Sequence, residues 1–164
     1  MTRGVEKVSD GSPANHYRGI YWDDHEVGRT YWSSARTITQ TDVAGFAAVS
    51  GDYNPLHTDD ELGKTSVFGE RVPHGPLGML FAMGGYDRIG LVEGVAVAFL
   101  NITWKFVAPM RIGDTVRSKV TVAALKETSH ANRGVVTMHI ELFNQRDELV
   151  QEGDHTFLIR RCAE

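Results

Sequence analysis

The chain has 164 residues, 41% hydrophobic and 23% charged, which is the balance of one ordinary globular domain with enough length to bury a core. Its net charge of −4, with acidic and basic residues interspersed, excludes the basic footprint of a nucleic-acid binder or of a protein drawn to an anionic membrane surface. A single cysteine, Cys162, excludes an intrachain disulfide and a multi-cysteine metal cluster, and suits a reducing, cytoplasmic setting.

Residues 1–19 are polar and broken by Gly4, Gly11 and Pro13, without the apolar run of a signal peptide or membrane span. They are expected to form a flexible arm ahead of one domain, 20–164. From Val27 to Ile38 the chain is rich in Thr, Tyr, Trp and Ser, which predicts an edge strand. Thr41 and Asp42 read as a helix start, with Val43, Phe46 and Ala47 as its apolar stripe, Val49 as a candidate extension and Ser50-Gly51-Asp52 as its end. The segment from Asp52 to Pro73 is a long loop carrying Asn54-Pro55, Gly63 and Gly69, a length that in a compact domain marks function or short helices of its own. After Gly75, Pro76 opens a helix running through Leu77, Met79, Leu80, Phe81, Ala82 and Met83, apolar almost all round and so expected to be buried on most sides.

Four stretches of β character follow: Gly94 to Val107, Thr115 to Leu125, Gly134 to Asn144, and Leu149 to Ile159. The second alternates, with Val116, Val120, Val122 and Ala124 on one face. Gly113-Asp114 and Arg146-Asp147 are turn signals, so the C-terminal half reads as an antiparallel meander. One apolar helix wrapped by a curved antiparallel sheet is an α+β hotdog fold.

The run Phe46-Ala-Ala-Val-Ser-Gly-Asp-Tyr-Asn-Pro-Leu-His57, followed by Phe68-Gly-Glu-Arg-Val-Pro-His-Gly75, resembles the signature of MaoC-like (R)-specific enoyl-CoA hydratases. The order of elements is similar from about Ile20 to the C-terminus. The resemblance implies that Asp52 and His57 form a catalytic dyad, that Asn54 and Pro55 hold the loop, and that Gly75 offers its amide to the thioester oxygen. It also implies a substrate that brings its own coenzyme A, with no separate cofactor, and an acyl pocket drawing on Met79, Met83 and Tyr86 of the buried helix. Gly63 stands where the family usually has Ala or Ser, and Met83 and Tyr86 stand where members handling fatty chains often have a hydroxyl and a leucine.

The chemistry suits these residue types. Hydrating an enoyl thioester needs a water deprotonated toward the β-carbon, a proton for the α-carbon and a holder for the enolate-like oxygen. An imidazole and a carboxyl five positions apart across a Pro-containing turn can face one water, and either can serve as the base. An amide at a helix start supplies the oxyanion donor. His74 reads as a structural support of the loop. The histidines show no paired spacing of the kind zinc helices use, so no metal is expected. Arg71, Arg88, Arg111 and Lys105 are candidates for the phosphates of coenzyme A. Rival functions are an acyl-carrier-protein dehydratase, a hotdog thioesterase, which the Asp52 to His57 spacing disfavours, and a non-catalytic acyl-thioester-binding subunit. Sheet-to-sheet pairing into a homodimer, or a higher homo-oligomer, is expected.

Overall fold

The computed structural model describes residues 17–162, and most of the expected N-terminal arm lies outside them. Its last residues are tied down: the Gly19 amide donates to the Glu93 carbonyl at 3.0 Å, and Arg18 pairs with the Glu93 carboxylate. Among the described residues, no helix is long and apolar enough to cross a membrane.

The expected edge strand is interrupted. It forms β1 (Thr30–Trp32) and β2 (Arg36–Thr37), both antiparallel to β4 (Thr115–Glu127). Between them, Ser33 takes over the ladder: its amide donates to the Ser118 carbonyl and its hydroxyl accepts from the Ser118 amide, each at 2.9 Å. A side chain standing in for a main-chain partner ends the regular pairing.

Helix α1 (Gln40–Ser50) starts earlier than Thr41 because Thr39 and Asp42 form a capping box, each side chain accepting from the other's amide. It ends at Gly51, whose φ of 76° is the left-handed conformation that glycine adopts without penalty. Val43 and Ala47 are buried, but Val49 is 93% exposed and drops out of the stripe. The loop after it carries two short helices, α2 (Pro55–Thr58) and α3 (Asp60–Thr65).

Helix α4 (Gly75–Arg88) buries Leu77, Gly78, Ala82 and Tyr86, while Leu80 stays 45% exposed. The expectation of burial on most sides therefore holds for one face only. Strands β3 (Ala96–Phe106), β4, β5 (Arg133–Phe143) and β6 (Leu149–Arg160) are antiparallel in the order β1-β4-β5-β6-β3. The meander covers β4 to β6, but β3 is not beside β4. Instead, the amides of Val107 and Ala108 donate to the Val150 carbonyl and that of Gly113 to the Ile38 carbonyl, so residues 107–114 cross the end of the sheet. Strand β3 lies at the outer edge beside β6, and its register slips between Ala96 and Ala98 and again between Phe99 and Asn101.

Alternation along β4 buries Val116, Val120 and Val122, then a bulge after Val122 turns Ala124 outward and leaves Leu125 against the core. The inner faces of β4, β5 and β6 meet Leu77, Ala82 and Tyr86 of α4 in one apolar core. This is the hotdog architecture: an antiparallel sheet around a helix.

Candidate active site

The loop between α1 and α4 builds the site from short-range hydrogen bonds. Asp52 follows the Gly51 cap, and its Oδ1 accepts from the Asn54 amide at 3.1 Å. Asn54 in turn caps α2, its Oδ1 accepting from the Leu56 amide at 3.0 Å, and Pro55 occupies the first helical position, where no amide is needed. That single helical turn carries His57. Arg71 clamps the assembly: its Nε pairs with Asp60 at 2.9 Å and its Nη1 donates to the His57 carbonyl at 3.1 Å. Gly63 packs closely here, since a Cβ would lie 2.4 Å from the Arg71 amide nitrogen, so α3 rests on bare backbone.

His57 Nδ1 lies 2.8 Å from the Val72 carbonyl. A carbonyl only accepts, so Nδ1 carries the proton and the neutral ring presents Nε2 as a free lone pair. His74 is fully buried, and its Nε2 donates to the Asp52 carbonyl at 2.9 Å while standing 3.9 Å from Asp52 Oδ2. The two imidazoles stack with centroids 3.9 Å apart, and Phe46 closes the other side of His74 at 4.6 Å. His74 therefore fixes both Asp52 and His57, one through its backbone and one through its ring. Asp52 itself is open to solvent, its side chain 49% exposed.

Asp52, His57 and His74 bring one carboxylate and two imidazoles within 4.8 Å of one another, a grouping that histidine spacing along the sequence did not announce. Such a set has the ligand types for a cation. In this arrangement, however, His57 Nδ1 and His74 Nε2 are both engaged by main-chain carbonyls.

His57 and Gly75 line one cleft of about 310 Å³ together with Leu56, Phe68, Val72, Pro73, the 106–110 segment and Gln151. Gly75 opens α4, so its amide has no intrahelical acceptor and sits at the positive end of the helix. A Cβ on Gly75 would meet the Phe106 ring at 3.0 Å, so the glycine lets that ring close down beside the amide. Asp52 is not among the lining residues, although its carboxylate is grouped with His57, which is.

The structure does not bring Met79, Met83 or Tyr86 into this cleft. Tyr86 is buried against Phe157 and His155, and Met83 packs on the core. Nor do the basic candidates stand ready for phosphate: Arg71 is committed to Asp60, Arg111 to Glu70 and Lys105 to Glu152. Arg88 lines a separate, narrower cleft with Arg36, Ser33 and Phe81. Residues the sequence did not single out do line the site, above all Gln151 and Phe106. The one available signal was a glutamine in the same alternating register as Phe157 and Ile159, the inward-facing positions of the strand.

A family model described as MaoC like domain matches residues 24–143. Among relatives, the chain is 34% identical over 139 residues to the 3-hydroxybutyryl-CoA dehydratase of Methylorubrum extorquens, an alignment covering 84% of this chain and 82% of that one. It is 38% identical over 107 residues to the (R)-specific enoyl-CoA hydratase of Rhodospirillum rubrum, covering 64% and 71%. Among solved structures, the R-hydratase PhaJ1 of Pseudomonas aeruginosa superposes with a TM-score of 0.75 at 27% identity, covering 90% of this chain and 94% of that chain.

Proposed function

The chain belongs to the MaoC-like family, and from that premise we propose that it is a hydro-lyase adding water reversibly to a trans-2-enoyl-CoA to give the (R)-3-hydroxyacyl-CoA. The observation that carries this reading is His57, whose Nε2 is left free, lining the same cleft as Gly75 and grouped with the Asp52 carboxylate. In the hydration direction a water between His57 and Asp52 gives up a proton as its oxygen bonds to the β-carbon. The alkene π pair becomes an enolate, its oxygen held by the Gly75 amide and the positive end of α4, and a proton returned from the dyad to the α-carbon restores the thioester. The (R) configuration is carried over from the named hydratase relative.

His57 is the better base of the two, because its proton is already pinned on Nδ1 and its lone pair is free. His74 and Asn54 keep the supporting roles their hydrogen bonds describe. The reading uses no metal and no cofactor beyond the coenzyme A of the substrate. It includes a cytoplasmic setting, in keeping with one free thiol, Cys162. It also includes a homodimer. Strand β3 is an open edge with Val97, Phe99, Leu100 and Phe106 exposed, the surface a second copy of the sheet would cover.

Loss of the enoyl-thioester absorbance with crotonyl-CoA, followed by chiral analysis of the product, tests the reading. Hydration to the R product by the wild type, with loss in folded Asp52→Asn and His57→Ala variants, is the expected result. No hydration of short, medium or branched enoyl-CoAs would overturn it in favour of a carrier-protein substrate, a thioesterase or a binding subunit. Release of free thiol from acyl-CoAs would then single out the thioesterase.

A further inference from the structure

Beyond Gly75, the inner faces of β3 and β6 pair Phe106 with Gln151, Trp104 with Gly153, and Ile102 with His155. The first of these pairs lines the cleft; Trp104 and everything past it do not. Trp104 packs closely on Gly153, where a Cβ would come within 2.5 Å of its ring. Its indole Nε1 donates to Gln151 Oε1 at 2.9 Å, and Gln151 Nε2 donates to the Gly75 carbonyl at 2.9 Å. Gln151 is 1% exposed, so this amide has no water to fall back on and holds the indole and the start of α4 in one fixed relation. Behind the indole the space is filled: His155 packs on it at 5.2 Å between centroids, and Tyr86, Phe99 and Phe157 surround His155.

We propose that Gln151 is the specificity-determining wall at this end of the acyl pocket, and that Trp104 is the positioning residue that braces it, so that the site accepts short acyl chains. A butenoyl group extends only a short way beyond the thioester, whereas a medium chain runs on into the buried Gln151 amide and the indole that braces it. The inference rests on the hydro-lyase reading for its substrate and on the geometry of Gly75, Gln151 and Trp104 for its direction.

Calorimetric titration with butyryl-CoA and octanoyl-CoA, which carry no double bond to hydrate, measures the pocket without turnover. The wild type should prefer butyryl-CoA, and Gln151→Ala should move the octanoyl-to-butyryl affinity ratio about tenfold or more toward the longer chain. Trp104→Leu, which removes the indole that braces the amide, should move it the same way by less. Should Gln151→Ala fail to fold, Gln151→Asn carries the same expectation at smaller size. The same shift should appear in kcat/KM for trans-2-octenoyl-CoA against crotonyl-CoA. An unchanged ratio in a folded Gln151 variant, or a wild type that already prefers octanoyl-CoA, overturns the wall. A shifted affinity ratio with no hydration of either enoyl-CoA leaves the wall standing and sinks the hydro-lyase reading instead.

Discussion

His57 takes its chemical character from a carbonyl 15 residues away, that of Val72, which holds the ring proton on Nδ1. Replacing His57 with Ala, or Asp52 with Asn, should lower kcat for crotonyl-CoA by about 10²- to 10⁴-fold, the range spanned by general acid and base groups. A loss of less than tenfold in both would remove the dyad. That these two side chains come together was legible because they sit in a run of polar, glycine and proline positions whose order is itself informative. Gln151 and Trp104 were not, since a residue's partners across a sheet depend on register, which a strand pattern does not disclose. His155 was equally hidden. It is fully buried, burial lowers its pKa to about 4, and its Nδ1 meets the Tyr86 hydroxyl at 3.3 Å. Below the ordinary value of 6.5 the unfolded chain binds a proton that the folded chain refuses until about pH 4, so stability is lost as pH falls through that window. The loss amounts to about 3 kcal/mol across the window. Urea midpoints between pH 7 and 4.5 should therefore fall more steeply for the wild type than for His155→Leu, and parallel slopes would count against the assignment.

At the scale of elements, α4 is fitted to its surroundings by glycines. A Cβ on Gly78 would come within 2.6 Å of the Gln151 amide and 2.7 Å of the Met110 methyl, both pinned in the interior. Gly78→Ala gains helix propensity but overpacks this contact, and a net destabilisation of about 1 to 2 kcal/mol in urea unfolding is the expected balance. A stabilised variant would show that Gln151 yields easily. The elements themselves were largely legible: the strands from β4 to β6 and the turn between β5 and β6 follow alternation and turn chemistry. What misled was local chemistry with a tertiary partner. Ser33 breaks the first strand only because Ser118 lies opposite, and the position of β3 beside β6 depends on a crossover that leaves no periodic mark. The early start of α1 was readable, since Thr39 and Asp42 have the spacing of a capping box.

At the scale of the whole molecule, β3 is the long outer edge of the described sheet. A second copy on β3 would cover Phe99, Leu100 and Phe106, side chains that a single chain leaves partly in water, and would close the side of the cleft that Phe106 borders. Multi-angle light scattering at micromolar concentration should give a dimer for the wild type and a monomer for Leu100→Lys, which puts a charge on the exposed edge. A monomeric wild type would remove the partner. The two register slips of β3 bear on what such an edge can do. A straight, apolar edge strand is a template on which chains can stack without limit, as in amyloid. Strand β3 loses its even spacing at both slips, so the unbroken run left for an incoming strand is the short stretch from Asn101 to Phe106. The irregularity that makes β3 a poor scaffold for endless growth thus leaves enough of it to serve a closed pair.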